Sequence, residues 1–251
     1  MAQRRRWLPA RVTDIHTETP TTRSVVFEAP GWGGHLAGQH VDVKLIAEDG
    51  YSAERSYSMA APEDGDRVAL TVQRVRDGEV SPYLVDEMMP GDEVELRGPI
   101  GGWFVWRPEE PGPVLLVAGG SGVVPLMAMV RERARVGSAV PFRLVYSVRS
   151  ADDAFYGEEL SRLTGEGNGD GDGNGLGVTL LYTRSAPPGT TRPVGRITAD
   201  DLSDAGWPPD AGSRAYVCGP TAFVEAVAGL LQQLGHDPST IRTERFGPTG
   251  G

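Results

Sequence analysis

A run of apolar residues that ends in a glycine-rich loop constrains the fold of this chain more than any other feature. Residues 114–118 are all apolar, and they are followed by Gly119-Gly120-Ser121-Gly122 and then by residues 123–136, which have the pattern of a helix. A strand, a glycine-rich turn and a helix in this order direct backbone N–H groups and a helix dipole at a phosphate. The segment predicts a nucleotide-binding α/β unit. It does not name the nucleotide, because Val124 stands where the G-x-G-x-x-G fingerprint has its last glycine.

Strand-like and helical stretches continue to alternate after this loop. Residues 142–148, 178–183 and 215–218 are apolar enough to be buried strands, and residues 222–234 have a helical pattern. Continuous apolar strands separated by helices are typical of a parallel, doubly wound sheet. We therefore predict a doubly wound α/β architecture for the second part of the chain.

The first part of the chain has a different rhythm. Residues 24–28, 39–45 and 67–72 read as short strands, and turn signals such as Pro30-Gly31 and Pro90-Gly91 separate strands of this kind. Short alternating strands at these intervals favour a small antiparallel β-barrel.

The change of rhythm falls at the proline-rich residues 108–113. A chain of 251 residues has room for two modest domains. We predict a β-barrel domain over residues 1–108 and a nucleotide-binding α/β domain over residues 109–251.

The composition is that of a globular protein with an acidic balance of charge. Hydrophobic residues make up 39% of the chain, and the formal net charge is -10. This charge argues against nonspecific binding to nucleic acid or to anionic membranes. No apolar run approaches the ~20 residues of a membrane span, and no apolar region follows Arg4-Arg5-Arg6 as in an export signal. We expect a cytoplasmic protein without a membrane span.

Metal binding has little support in the sequence. Cys218 is the single cysteine, which excludes an internal disulfide and a cysteine-ligated iron–sulfur cluster within these residues. In the glycine-rich residues 165–177, Asp170 and Asp172 match the start of an EF-hand loop. However, Leu181 stands where that loop needs a glutamate. We interpret the segment as a flexible surface loop, with a calcium site as the weaker alternative.

Two segments of the barrel part carry residues suited to a phosphate and to a flat ring. In Arg55-Ser56-Tyr57-Ser58, an extended backbone places Arg55 and Tyr57 on one face, where a guanidinium can pair with phosphate and a ring can stack. In residues 78–82, Ser81 is a favourable N-cap and Pro82 a favourable first helical residue, so a short helix would present N–H groups to an anion. A surface arginine, a strand tyrosine and a capped connecting helix are the plainer alternatives.

A further motif, Cys218-Gly219-Pro220, ends a strand and precedes a helix, at the edge where open parallel sheets bind ligands. Taken alone, a cysteine there is more often a small buried apolar residue. Together and in this order, however, the four motifs resemble the signature of the ferredoxin–NADP reductase superfamily, R-x-Y-S, G-x-x-S, G-G-T-G-x-x-P and C-G-P. The resemblance covers nearly the whole chain, with Ser121 in place of the usual threonine. Glu244-Arg245-Phe246 also resembles the C-terminal strand of that family.

The resemblance implies FAD as the first cofactor and gives a role to each residue of the first two motifs. Arg55 would bind the FAD pyrophosphate, Tyr57 would pack on the isoalloxazine, and Ser58 would hydrogen-bond near flavin N5. The other residues implied to bind this cofactor are Ser56, Gly78, Val80 and Ser81, the last three at the same pyrophosphate.

The resemblance also implies a pyridine nucleotide as the second cofactor. Its phosphates would be cradled by Gly120, Ser121 and Gly122. Cys218 and Gly219 would lie against the nicotinamide, with Pro220 in the same binding set, and Phe246 would cover a flavin face. The residues implied for catalysis are Ser58, Cys218 and Phe246.

The implied function is an FAD-dependent NAD(P)H oxidoreductase, a ferredoxin–NAD(P)⁺ reductase-like flavoprotein. It would transfer a hydride from NAD(P)H to FAD and then electrons to a separate acceptor protein, either a ferredoxin-like carrier or a metalloenzyme. Two alternatives stay open: an FAD-holding subunit that is active only in a larger complex, and a free-flavin reductase. Arg55 and residues 78–81 argue against the second, because a pyrophosphate site implies bound FAD.

The choice between NADPH and NADH depends on the residues that follow the second and third strands of the sheet. An acidic residue after the second strand would reject a 2′-phosphate. Here Arg149 follows that strand with no acid before Asp152, and Arg184 and Arg192 follow the next strand. Since a guanidinium matches a phosphate bidentately, we expect Arg149 and Arg184 to favour NADPH, with NADH as the alternative.

Overall fold

The computed structural model describes residues 6–47, 49–165 and 176–246, which form two compact units. The first unit extends to Arg107 and includes Met127–Glu132, and the second contains Pro108–Leu126 and the chain from Arg133 onward. The aspartates of the calcium-type loop lie outside the described residues.

The first unit contains a six-stranded antiparallel sheet in the order β4-β3-β6-β1-β2-β5. Its strands are β1 (Leu8–Thr19), β2 (Thr22–Glu28), β3 (His40–Ile46), β4 (Ser52–Ser58), β5 (Arg67–Gln73) and β6 (Glu93–Ile100). Just past the end of β4, Met59 forms an antiparallel bridge with Leu70 of β5. The N–H of Ala60 donates to the Ala69 carbonyl at 2.8 Å. The two outer strands therefore meet, and the predicted barrel is confirmed.

Alternate positions of these strands fill the barrel. Val41 and Val43 of β3, like Val68 and Leu70 of β5, are fully buried, while the residues between them are partly exposed. This is the period of two that strand geometry imposes on side chains. The hydrophobic effect acts on one face only, so the other face remains free to carry charged and polar residues.

Between β5 and β6 the chain forms one wide helical turn, Tyr83–Glu87, closed by a bond from the Met88 N–H to the Tyr83 carbonyl at 2.9 Å. The predicted capping of this helix by Ser81 is wrong. Ser81 is itself helical, and its hydroxyl instead accepts the backbone N–H of Val75 at 3.0 Å. A serine hydroxyl can accept a nearby N–H, but the N–H that Ser81 accepts lies six residues earlier in the chain.

The second unit contains a five-stranded parallel sheet in the order β11-β10-β7-β8-β9. Its strands are β7 (Val114–Gly119), β8 (Phe142–Val148), β9 (Leu176–Tyr182), β10 (Arg214–Pro220) and β11 (Ile241–Phe246). The helices are α1 (Val123–Arg135), α2 (Gly157–Gly165), α3 (Ala199–Ala205) and α4 (Thr221–Gln233). The predicted parallel sheet with helical crossovers is confirmed.

The central strand β7 is buried along its whole length. Strand order reverses at β7, with β8 and β9 on one side and β10 and β11 on the other. The carboxyl ends of β7 and its neighbours therefore form the crevice in which open parallel sheets bind ligands. In the part of the chain that the structure describes, none of the helices is both long and apolar enough to cross a membrane.

Candidate functional site

Strand β4 presents the first group of predicted site residues. Arg55 and Tyr57 are partly buried and alternate with the exposed Glu54 and Ser56. The ring of Tyr57 packs against the barrel core, and its burial raises the pKa of the phenol. The strand thus places a guanidinium and a neutral phenol ring on one face, as the alternation in the sequence predicted.

The guanidinium of Arg55 has two partners. One nitrogen donates to the Glu54 carbonyl at 2.7 Å, and another donates to Oε2 of Glu79 at 3.0 Å. The other carboxylate oxygen of Glu79 accepts the Tyr51 hydroxyl at 2.5 Å. Since a guanidinium carries five N–H donors, Arg55 keeps donors for a further anion. Sequence reasoning missed Tyr51 and Glu79 as members of this cluster.

The structure does not bring the Ser56 hydroxyl to the same place. Ser56 lies on the exposed face of β4, where its hydroxyl donates to Oδ1 of Asp42 at 2.5 Å. Asp42 in turn accepts from Arg97 at 2.8 Å. The Ser56 side chain is therefore part of a polar network on the outer face of the sheet. It does not share the face of Arg55 and Tyr57.

Ser58 ends β4 and is 5% exposed. Its hydroxyl oxygen has no hydrogen-bond partner among the described residues. A buried hydroxyl without a partner is uncommon, and at the end of a strand that carries Arg55 and Tyr57 it fits a hydrogen bond to a bound ligand. The Ser58 hydroxyl without a partner is thus the observation that makes the barrel suited to a flavin cofactor.

A tight loop holds the second motif. The Gly78 N–H donates to the Val75 carbonyl at 3.1 Å, and a Cβ at Gly78 would lie 3.2 Å from both the Ser81 hydroxyl and that carbonyl. Ser81 and Val80 are buried. Because the Ser81 oxygen accepts from Val75, its own hydrogen remains available to donate. The loop therefore brings Gly78, Val80 and Ser81 together, and Glu79 between them reaches Arg55.

In the second unit, the glycine-rich loop turns sharply from β7 into α1. Gly120 has a φ of +54°, and a Cβ there would meet nothing within 4 Å, so this side of the loop is open. At Gly122 a Cβ would lie 2.1 Å from the Cys218 carbonyl oxygen. The absence of a side chain at Gly122 is what lets the end of β10 approach the loop. The structure thus brings the loop of Gly120, Ser121 and Gly122 against Cys218.

Cys218 is fully buried near the carboxyl end of β10. Its sulfur lies 4.0 Å from Oε2 of Glu244, which faces it in the register of β10 and β11. Burial, and then the Glu244 carboxylate, raise the pKa of the thiol well above its usual value. Pro220 and Phe246 form the last pair of the same register. Glu244 is thus a further candidate site residue, and the resemblance of residues 244–246 to the family's C-terminal strand is the sequence signal that points to it.

Arg149 and Arg184 lie beyond the last paired residues of β8 and β9. The Arg184 N–H donates to the Arg149 carbonyl at 2.9 Å, which holds the two residues side by side. Both side chains are exposed, and neither forms an ion pair with a described residue. Arg192 does not join them, because its guanidinium donates to Asp201 at 2.6 Å through two nitrogens.

The hydroxyl of Ser150, which directly follows Arg149, already has a partner. The Ser150 hydroxyl donates to Oδ2 of Asp153 at 2.5 Å. A carboxylate thus lies against the residue that follows Arg149, although no acid directly follows the strand in the sequence.

Comparison with known proteins agrees with this division into two sites. Residues 9–105 match the family model described as Oxidoreductase FAD-binding domain, and residues 116–229 match Oxidoreductase NAD-binding domain. The reductase component of the naphthalene 1,2-dioxygenase system of Pseudomonas putida, a ferredoxin–NAD(P)⁺ reductase, is 33% identical over 217 residues. That alignment covers 85% of this chain and 61% of the relative.

Solved structures show the same arrangement of elements. The Amycolatopsis cytochrome P450 reductase has a TM-score of 0.81 at 28% identity, over 98% of this chain and 71% of that one. A ferredoxin NADP⁺ reductase from Neisseria gonorrhoeae, solved with bound FAD and NADP, has a TM-score of 0.79 over 95% and 98% of the two chains. At 18% identity this second likeness shows the fold alone.

The two family matches and the two sites define an oxidoreductase with an FAD-binding domain followed by an NAD-binding domain. The chain belongs to the ferredoxin–NADP reductase superfamily. It spans 61%, 61% and 59% of three of the curated relatives that it matches.

Proposed function

We propose that this chain is the reductase of an electron-transfer system, which oxidises NAD(P)H and delivers the electrons to a separate acceptor protein. The chemistry belongs to the cofactor, since a bound flavin supplies both the hydride acceptor and a route for electrons to leave. The chain itself supplies binding, orientation and exclusion of water.

One observation carries the proposal: in the barrel that matches an FAD-binding domain, strand β4 ends in a buried hydroxyl that has no hydrogen-bond partner among the described residues. Ser58 ends the strand on which Tyr57 and Arg55 share a face. A flavin dinucleotide has the three groups that complement this set, namely a hydrogen-bonding ring edge, a flat ring and a pyrophosphate. The NAD-binding domain in the same chain then supplies the electron donor.

The proposed roles follow the two sites. Arg55 holds the pyrophosphate, Tyr57 packs on the isoalloxazine, and Ser58 donates to the ring. The residues proposed to complete the pyrophosphate contacts are Gly78, Val80 and Ser81. The residues proposed to hold the nicotinamide nucleotide are Gly120, Ser121, Gly122, Cys218, Gly219 and Pro220, with Phe246 and Glu244 beside them on the last strand.

The acceptor is proposed to be a ferredoxin-like carrier or a metalloenzyme of an oxygenase system. This rests on the likeness to the reductase component of the naphthalene 1,2-dioxygenase system and to the P450 reductase, which are named for such partners. We also propose NADPH as the preferred nucleotide, because Arg149 and Arg184 lie side by side with exposed guanidinium groups. The two domains are proposed to be residues 1–108 and 109–251.

The test is to purify the full chain alone and record its visible spectrum before and after adding NADPH or NADH under anaerobic conditions. We expect a yellow protein that releases FAD on denaturation, is bleached by the nucleotide and turns over with ferricyanide. A protein that binds FMN, or that holds FAD without reduction by either nucleotide, contradicts the proposal. The second outcome would instead indicate a subunit that needs a larger complex.

A further inference from the structure

Glu79 occupies a central place in the anion-binding cluster of the barrel. One of its carboxylate oxygens accepts from Arg55 at 3.0 Å, and the other accepts the Tyr51 hydroxyl at 2.5 Å. The side chains of Arg55 and Glu79 are 38% and 48% exposed, so both remain within reach of a ligand from solvent. Both oxygens of the carboxylate are thus engaged, one by the guanidinium that would receive a phosphate and the other by the Tyr51 hydroxyl.

The backbone fixes this arrangement from two sides. Tyr51 precedes β4, and strand alternation puts it on the same face as Arg55. Glu79 stands in the loop that Val75 and Ser81 close by their hydrogen bond at 3.0 Å. The hydrogen bond from Tyr51, followed by the charge of Arg55, holds the pKa of Glu79 below its usual range, so the carboxylate is ionised at neutral pH.

We propose that Glu79, held by Tyr51, competes with the FAD pyrophosphate for Arg55 and thereby limits how tightly this chain binds FAD. The inference rests on the proposed role of Arg55. A pyrophosphate that reaches Arg55 must displace the carboxylate or share the guanidinium with it. In either case a negative side chain stays beside two negative phosphates, and that repulsion weakens binding.

The strength of the effect follows from the exposure of the cluster. Exposed ion pairs contribute little, and repulsion between exposed charges is screened by salt. We therefore expect neutral glutamine at position 79 to tighten FAD binding by roughly two- to ten-fold at low ionic strength. The gain should shrink as salt is added.

The experiment measures the dissociation constant of FAD from the 251-residue chain by flavin fluorescence, for wild type, Glu79→Gln and Glu54→Gln. The amide of Glu79→Gln keeps the shape of the side chain and an oxygen that can accept from Tyr51. Glu54→Gln is the matched control, because it removes the same charge from a neighbouring residue whose carboxylate contacts Arg97 on the outer face. Tighter binding by Glu79→Gln alone, which fades with salt, supports the proposal.

Three results would overturn it: unchanged binding by Glu79→Gln, weaker binding by Glu79→Gln, or an equal gain in both variants. Weaker binding would show that Glu79 orients Arg55 for the phosphate. An equal gain would show an effect of net charge only. Arg55→Ala, measured in parallel, separates this inference from the proposed function. If that variant binds FAD as well as wild type, the role proposed for Arg55 fails whatever Glu79→Gln does.

Discussion

The sulfur of Cys218 lies 4.0 Å from Oε2 of Glu244, directly across the register of two parallel strands. A carboxylate beside a buried thiol disfavours the thiolate twice, through burial and through repulsion between like charges. Cysteine acts as a nucleophile only as the thiolate. The pair therefore describes a protonated thiol, which is a packing group and not a nucleophile.

Because Cys218 is the single cysteine in the chain, its reactivity can be measured without interference. We expect iodoacetamide to label the native protein far more slowly at pH 8 than the unfolded protein, since the pKa of the native thiol is raised. The labelling rate of the native protein should rise as the pH approaches the raised pKa of the Cys218 thiol. Mass spectrometry of timed samples in buffer and in urea gives the two rates, and equal rates would contradict a buried thiol.

The guanidinium of Arg55 gives a prediction about retention of the flavin. A charge-assisted hydrogen bond contributes about 1.5–3 kcal/mol, so Arg55→Ala should weaken FAD binding by roughly 10- to 150-fold. Arg67→Ala is the control, because Arg67 of β5 has the same charge and forms an exposed pair with Asp64 at 3.7 Å. Ultrafiltration of the two purified variants measures the FAD released. Equal retention by Arg55→Ala and wild type would remove Arg55 from the site.

Strand periodicity explains why much of the fold and part of the site could be predicted. Alternation with a period of two is local, so the shared face of Arg55 and Tyr57 could be inferred from four consecutive residues. The loop from β7 to α1 was likewise recognisable, because glycines between an apolar strand and a helical pattern are local signals.

The remaining site contacts join segments that are distant in sequence. Glu79 reaches Arg55 across 24 positions, and Cys218 meets Glu244 across 26. Such contacts depend on which strands pair and on how a loop closes, and composition and periodicity do not specify either. The capping error at Ser81 has the same origin, because its hydroxyl found its partner in the loop fold and not in its own helix.

The imidazole of His35 predicts a pH dependence of stability. Its Nδ1 accepts the Trp32 indole N–H at 3.1 Å, so Nε2 carries the proton and donates to the Ala61 carbonyl at 3.0 Å. Burial lowers the pKa of His35 below 6.5, although the Ala61 bond, Glu63 and Glu132 oppose this. The neutral ring is therefore the form that the folded state prefers.

The unfolded chain then takes up a proton at a higher pH than the folded chain does. The stabilisation that neutral His35 contributes is complete above about pH 6.5. It is lost as the pH falls through the lowered pKa of His35 in the folded state. We expect melting temperatures measured from pH 7.5 to 5 to fall less steeply for His35→Gln than for wild type. The exposed His16, changed to Gln, is the control. Parallel curves for wild type and His35→Gln would exclude this contribution.

Two glycines of the second unit give opposite predictions for the same substitution. Gly122→Ala places a methyl group 2.1 Å from the Cys218 carbonyl oxygen, a clash with backbone that should cost about 1–3 kcal/mol or more. Gly229→Ala adds a methyl group within α4, where nothing lies within 4 Å. It should gain about 0.5–1 kcal/mol from helix propensity. Urea denaturation of both variants measures the two changes, and a Gly122→Ala protein as stable as wild type would contradict the close approach of β10.

The arrangement of Arg149 and Arg184 leads to a prediction about nucleotide choice. A 2′-phosphate that reaches these exposed guanidinium groups gains charge-assisted contacts that NADH cannot make. We expect kcat/KM to be higher for NADPH, and Arg149→Ala and Arg184→Ala each to reduce that preference by roughly ten-fold or more. The control is Arg162→Ala, which removes the same charge from the exposed side of α2. The carboxylate of Asp153 beside Ser150 repels a phosphate. The ratio of kcat/KM for NADPH to kcat/KM for NADH therefore shows whether the two arginines or this carboxylate dominate. A wild-type preference for NADH, or a preference that neither arginine variant narrows, would show that the carboxylate prevails and that these arginines are solvated surface residues.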